Sequence, residues 1–243
     1  MDEYIATTYG DHLAEVYDQW YGAYEEAAIE TLATLAQAGR ALELGIGTGR
    51  IALPLAARGI EVHGIDASAA MIAKLRARPG GDSIPVTMGD FSDVGVEGTF
   101  SLVFIVFNTF FALLTQEQQT RCFCNAAEHL TDGGTFLIEA FVPDLTRFSG
   151  GQSVRVNTIT DERVGLQVAQ HDAVQQRVKS QHIVFINNEA RLYPVEVRYA
   201  WPSELDLMAQ LAGLRLRHRW GNWDQAPFGP HSEKHISVYE RNR

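Results

Sequence analysis

The chain reads as an α/β domain in which helices cover a mostly parallel seven-stranded sheet with an antiparallel last strand, and an antiparallel β cap is added. Three observations predict it. Short apolar runs bounded by turns, with helical segments between them, follow one another from about residue 38 to residue 142, the pattern of repeated βαβ units. The glycine-rich stretch Glu43-Leu44-Gly45-Ile46-Gly47-Thr48-Gly49 joins the first such run to a helix, and a turn of this kind brings backbone N–H groups close to a ligand. From Pro143 to Tyr199 the pattern becomes period-2, as in Val164, Leu166, Val168 and again in Val195, Val197, Tyr199, which describes antiparallel strands placed after the parallel ones.

Residues 9 to 40 have helical periodicity, with Ala28, Ile29, Leu32 and Leu35 on one apolar face and Asp11 as the expected N-cap. Tyr9, Tyr17, Trp20 and Tyr21 are dense for a surface helix; they suit either packing on the core or a cover over a site. Ala41-Leu42-Glu43-Leu44 is a short buried strand. The turn after it argues against a dinucleotide, because G-x-G-x-x-G would need a glycine at position 50, where Arg50 stands. Arg50 to Ala57 continues as a helix that ends near Gly59. Val62-His63-Gly64-Ile65-Asp66 is a second strand, and its acid lies 17 residues beyond Gly49, at the tip of the neighbouring parallel strand. A carboxylate there can accept two hydrogen bonds from a ribose diol.

Pro85 to Phe91 reads as a third strand that ends in Asp90-Phe91. Phe100 to Asn108 is a fourth, apolar on both faces as a central parallel strand must be. Thr115-Gln116-Glu117-Gln118 is a capping box, and Phe123, Ala126, Ala127 and Leu130 repeat at helical spacing, so residues 115 to 130 form an amphipathic crossover helix. An Asp132-Gly133-Gly134 turn precedes the fifth strand, Gly134 to Phe141.

These pieces, in this order and spacing, closely resemble the class I S-adenosylmethionine-dependent methyltransferases and their Rossmann-like fold. The resemblance implies that Gly45, Gly47, Thr48 and Gly49 hold the methionine end of S-adenosylmethionine and that Glu43 acts on its amino end. Asp66 and Ala67 would hold the ribose, Asp90 the adenine amine, and Met71 and Phe91 would pack on the ring. Asn108 would complete the cofactor set. The Tyr17-Asp18-x-x-Tyr21 arrangement resembles the segment that covers the cofactor in small-molecule methyltransferases. Three stretches, Asn108 to Phe111, Glu139 to Pro143 and Trp220 to Tyr239, look like actinobacterial natural-product tailoring enzymes that methylate amino sugars or peptide amines.

In that family an insertion after the fifth strand caps the substrate pocket, and Asn187-Asn188 is an expected hairpin turn inside it. The expected division is an N-terminal helical lid over residues 1–40, a cofactor-binding core over 41–143 and 200–243, and a cap insertion over 144–199. Past the cap, Trp201-Pro202-Ser203-Glu204 starts a helix with Leu205, Met208 and Leu211 on one face, ended by Gly213. Leu214 to Trp220 and Lys234 to Tyr239 alternate strictly and fit the antiparallel sixth and seventh strands, with Arg215, Arg217 and Arg219 as a solvated strand face.

Bulk properties narrow the partners. A length of 243 residues and an apolar fraction of 46% suit one domain with an insertion. A net charge of −10 argues against nucleic acid. The N-terminus lacks a signal pattern and no apolar run approaches the roughly 18 residues of a membrane span, so a cytoplasmic monomer or homodimer is expected. Cys122 and Cys124 diverge by about 200° around a helix and should not pair. No histidine pair has metal-ligand spacing in a convincing context. The expected reaction is methyl transfer to a small molecule or peptide, with S-adenosylhomocysteine as product. The expected acceptor is an amine nitrogen, because no histidine stands at a core strand tip to serve as base; O- or C-methylation is the alternative within the class, and a non-methylating cyclase or regulator is the alternative outside it. Glu139, charged within an apolar strand, is expected to line the transfer site with Tyr21 and Asn108 and to orient an amine; the competing reading is a carboxylate satisfied by its neighbours.

Overall fold

The computed structural model describes residues 4–93, 95–186 and 189–242. Seven strands form the main sheet: β1 (Ala41–Leu44), β2 (Val62–Asp66), β3 (Val86–Met88), β4 (Phe100–Ile105), β5 (Leu130–Phe141), and, past the cap, Leu214–Trp220 and Lys234–Arg241. The cap is a separate antiparallel sheet of β6 (Gln152–Ile159), β7 (Arg163–Asp172), β8 (Arg177–Ile186) and β9 (Glu189–Arg198), in that spatial order. The last two strands of the chain are therefore β10 and β11, and the main sheet runs β10-β11-β5-β4-β1-β2-β3. β1 to β5 are parallel, and β11 is antiparallel to both β5 and β10. β10 thus runs with the parallel strands and β11, the last strand, is reversed, as the sequence leads one to expect.

Strand alternation divides the core in two. Leu102 and Phe104 of β4 face one layer, with α3 (Glu26–Ala36) and α4 (Ala52–Ala57). Val103 and Ile105 face the other, with α6 (Gln116–Glu128) and α7 (Pro202–Leu211). The capping box of α6 is present as expected, with Thr115 and Gln118 exchanging side-chain-to-backbone hydrogen bonds. Cys122 and Cys124 are free thiols on that helix.

Five local expectations are corrected. The N-terminal segment is three helices, α1 (Thr8–Leu13), α2 (Tyr17–Tyr21) and α3, rather than one. The break between α1 and α2 lets Leu13 and the tyrosines pack on Met71 while Trp20 turns to Tyr193 of the cap, 4.8 Å between rings. Asp11 lies inside α1, where it accepts a hydrogen bond from Ser68 Oγ (2.7 Å) instead of capping the helix. Gly133 (φ 77°) sits within β5, and the pairing jumps from Phe100–Leu130 to Leu102–Thr135, so the glycine pair forms a bulge in a longer strand. In α7, Ala209 joins Leu205 and Met208 in the core while Leu211 is exposed. A register shift between Leu216 and His218 breaks the alternation of β10, and Arg219 turns inward to Asp206 (2.6 Å) and the Tyr239 hydroxyl (3.2 Å); Arg215 and Arg217 stay outside, beside Glu240. The Asn187-Asn188 turn lies outside the described residues; β8 and β9 pair up to Ile186 and Glu189 on either side of it.

Candidate active site

The glycine loop is shaped by contacts a side chain would block. Gly45 (φ 77°) donates its N–H to Ile65 O (2.8 Å), and a Cβ there would lie 2.5 Å from Thr109 Cγ2. Gly47 (φ 56°) donates its N–H to Asp66 Oδ2 at 2.8 Å, while Ser68 N–H donates to Asp66 Oδ1 at 2.9 Å. The acid of β2 is thereby locked onto the loop that follows β1. Burial pushes the Asp66 carboxyl up, against these backbone donors.

Glu43 lies under this loop, 3% exposed, and its Oε2 has no hydrogen-bond partner among the described residues. Burial pushes its carboxyl up to about 8; Arg50 opposes that shift and Asp66 adds to it. Arg50, the residue that excludes a third spaced glycine, places its guanidinium 4.6 Å from the Phe107 ring centroid and donates to Ala23 O (3.1 Å).

A cavity of about 350 Å³ opens at the carboxyl ends of β1, β2 and β3. Of the expected site residues, Tyr17, Gly45, Gly47, Asp66, Ala67, Met71, Asp90 and Phe91 border it. Glu43, Thr48 and Gly49 are buried and do not border it. The N-terminal helices are tied to this region: Asp18 accepts from Thr48 Oγ1 (2.6 Å), Asp11 from Ser68 Oγ (2.7 Å), and Glu15 pairs with Lys74 (2.9 Å). Burial pushes Tyr17 up to about 12 and Tyr9 well above its usual range, so both remain neutral phenols at physiological pH.

Tyr21, Asn108 and Glu139 do not border this cavity. Glu139 and Asn108 border a neighbouring groove with Trp223 and Lys234. The Glu139 carboxylate is taken up by Phe107 N–H (2.9 Å), Trp223 Nε1–H (3.0 Å) and Lys234 Nζ (3.2 Å). Asn108 Oδ1 accepts from Phe141 N–H (2.7 Å). Together they hold two consecutive left-handed residues, Phe107 (φ 58°) and Asn108 (φ 65°), at the end of β4, a conformation that persists only where its surroundings enforce it. Tyr21 packs on Phe107, 5.1 Å between centroids.

Sequence reasoning missed Tyr4, Ser68, Thr109, Leu113 and Gln118 on the cavity wall. Gln118 carried a signal that a helix cap already explained, Ser68 caps a helix that the sequence reading passed over, and Thr109 follows the fourth strand tip directly. Tyr4 and Leu113 carried none.

A glycine turn locked to a strand-tip acid and an acid–aromatic pair on one cavity, with a buried carboxylate oxygen left without a partner at the end of β1, fit a nucleoside bearing an amino-acid tail. Comparison with known proteins agrees. Residues 41–134 match the family described as Methyltransferase domain. The chain is similar to the cypemycin N-terminal methyltransferase of a Streptomyces species, 27% identical over 201 residues and covering 82% of each protein. It is 32% identical over 157 residues to an uncharacterized methyltransferase of Staphylococcus carnosus, spanning 62% of this chain and 72% of that one. The solved structure of the CcbJ methyltransferase from Streptomyces caelestis superposes with a TM-score of 0.92 at 39% identity, over 99% of this chain and 100% of that one. The chain is a class I S-adenosylmethionine-dependent methyltransferase. When bound, S-adenosylmethionine supplies an electrophilic sulfonium methyl group. Tyr9 and Tyr17 of the N-terminal helices border the cavity, and Asp11, Glu15 and Asp18 tie those helices to residues around it. No helix among the described residues is long and apolar enough to cross a membrane.

Proposed function

We propose that this methyltransferase acts on an amine nitrogen of a small-molecule or peptide natural product, in the cytoplasm and without a nucleic-acid partner. The observation that carries the reading is the cavity wall: among the described residues its ionisable side chains are Tyr4, Tyr9, Tyr17, Asp66 and Asp90, and none is a histidine. Phenols pushed upward by burial orient an acceptor but do not strip a proton from a hydroxyl. A neutral amine needs no such base, because it presents its own lone pair and positioning alone can offset roughly 7–11 kcal/mol of barrier. The cypemycin relative, by its name, methylates an N-terminus, which supports the amine. The charge of −10 disfavours a polyanionic substrate.

In this reading Glu43 and the loop Gly45 to Gly49 take the amino-acid tail of the cofactor, Asp66 with Ala67 the ribose, and Asp90, Met71 and Phe91 the adenine. Residues 1–40 act as lid, 144–199 as cap, and the rest as core. Tyr17 covers the reacting end, and Glu139 and Asn108 position the Phe107 ring beside it rather than touching the acceptor. The test is incubation with methyl-labelled S-adenosylmethionine and a panel of amino-sugar glycosides, peptides with free N-termini, and phenols. Labelled N-methyl product is expected from the amines. Preferential labelling of a phenol or hydroxyl would overturn the amine, and tight cofactor binding with no labelled product from any acceptor would overturn the transfer.

A further inference from the structure

Three arginine side chains of the cap sheet and the loop before it have no acceptor. Among the described residues every other lysine and arginine pairs with a carboxylate or donates to a backbone carbonyl, and Arg147, Arg155 and Arg163 do neither. The Nε of Arg147 and that of Arg163 are buried without a hydrogen-bond partner. The acids beside them in the chain, Asp144, Asp161 and Glu162, are exposed, and Asp144 Oδ1 is taken up by Thr146. Buried charge is costly unless something pairs with it.

The three arginines stand on one side of the sheet. Arg155, Gln167 and His182 form a single cross-strand row, and directly opposed residues share a face. Arg163 lies four residues before Gln167 on β7, hence on the same face, and its guanidinium stands 5.5 Å from the Trp20 ring centroid, with the Trp20 and His182 rings 6.3 Å apart. The Arg147 guanidinium lies over Phe148 (4.7 Å), which stacks on His171 of this face (4.6 Å). Burial lowers Arg147 below the ordinary guanidinium range, and nearby Arg155 adds to the shift while Asp144 opposes it. Burial also lowers His182, so the imidazole is neutral and the charge on this wall is that of its guanidiniums. This side turns toward the cofactor. Trp20 is followed by Tyr21, which packs on Tyr17 (5.5 Å), and Tyr17 borders the cofactor cavity. A cavity of about 360 Å³ bounded by Trp20, Tyr21, Asn157, Arg163 and His182 lies between the N-terminal helices and the sheet.

We propose that the methyl acceptor is an amine that also carries a carboxylate, and that Arg163, with Arg155 and Arg147 further along the same wall, holds that carboxylate while Trp20 receives the body of the molecule. Backbone N–H groups lie in the plane of a sheet, so this wall offers only side-chain donors. Guanidinium forks match a planar carboxylate with two parallel hydrogen bonds. Anchoring the far end of the acceptor fixes which amine reaches the methyl group, and this selects among amines by length. The proposal rests on the amine reading above and adds a charge requirement to it.

The test uses the full chain, labelled S-adenosylmethionine and peptides of two to four residues with free N-termini. Each peptide is supplied as the C-terminal acid, as the amide, and as the amide with a phosphoserine. At one length the acid should exceed the amide by at least about tenfold in kcat/KM, through KM. R163Q should bring that ratio close to one. R217Q, which removes a charge from the solvated face of β10, should leave it in place. The thermal shift by S-adenosylhomocysteine reports the fold of every variant. Three results would overturn the proposal: amides used as well as acids at every length, an acid-to-amide ratio that R163Q leaves unchanged, or a phosphoserine amide preferred to every acid. If no amine is methylated, the amine reading fails and the anion site is read without turnover. Trp20 fluorescence, isolated by difference from Trp20→Phe, should be quenched by iodide. Sodium acetate should protect it better than sodium fluoride at equal ionic strength, and R163Q should abolish the difference. No protection in wild type, or equal protection in R163Q, sinks the site. Should R163Q lose the thermal shift, R155Q decides both assays by the same criteria.

Discussion

Cofactor affinity should depend on pH through Glu43. In the free protein burial holds this carboxyl at about 8, so it is protonated at neutral pH, and its Oε2 has no partner among the described residues. A ligand ammonium at that oxygen favours the carboxylate and must displace the proton. Below pH 8 the affinity for S-adenosylhomocysteine should therefore fall, approaching tenfold per unit and reaching about 50-fold or ~2.3 kcal/mol between pH 8 and pH 6, at about 1.36 kcal/mol per tenfold change. Arg50 and Asp66 are the other charged groups that act on Glu43, and Asp66 is itself raised by burial, so the assay needs Glu43→Gln as its reference. Titration calorimetry at pH 6, 7 and 8, each in two buffers of different ionisation enthalpy, reads affinity and proton release together. Wild type should release close to one proton at pH 7, and Glu43→Gln should bind more weakly with a flat pH profile. An affinity independent of pH in the wild type, or the same slope in the variant, would refute the reasoning.

Gly45→Ala should destabilise the protein by about 2–4 kcal/mol, from a left-handed alanine and the contact with Thr109 Cγ2; adding Thr109→Ser should recover the contact part but not the backbone part, as urea unfolding of the double-mutant cycle would show. His235, fully buried and pushed down to about 3 by burial and by Arg219, binds its proton only in the unfolded chain between about pH 6.5 and 3. It should remove on the order of 4 kcal/mol of stability as pH falls through that window; a His235→Gln variant showing the same acid slope would assign the loss elsewhere. Glu139→Ala strands three donors and should cost about 3 kcal/mol. Glu139→Gln keeps one accepting oxygen and should cost less than half as much in the same urea titration. If Gln is as damaging as Ala, the Lys234 ion pair rather than the Phe107 clamp is what matters.

The core was legible because its signals are local. Period-2 and helical patterns, the capping box at Thr115 and the glycines after β1 each depend on residues within a few positions, and the acids Asp66 and Asp90 could be assigned to strand tips by counting along the chain. The errors fell where a local pattern was overruled by a distant contact. Asp11 has the composition of a helix cap, but Ser68 claims its carboxylate from 57 residues away. Arg219 alternates like a solvated residue until a bulge turns it to Asp206. Glu139 is conspicuous as a charge inside an apolar strand, and that much is visible in the sequence. Its partners come from residues 107, 223 and 234, and no rule of spacing connects them.

By itself, then, the sequence determined the sheet and the glycine loop, because backbone turns and strand periodicity follow from short-range sterics, while the class of reaction came from the resemblance of those pieces to a known family. Tertiary structure decided which tyrosines face the cavity and that Glu139 and Asn108 hold a strained turn outside it. Each of these depends on which elements meet, and that is set by burial summed over the whole chain.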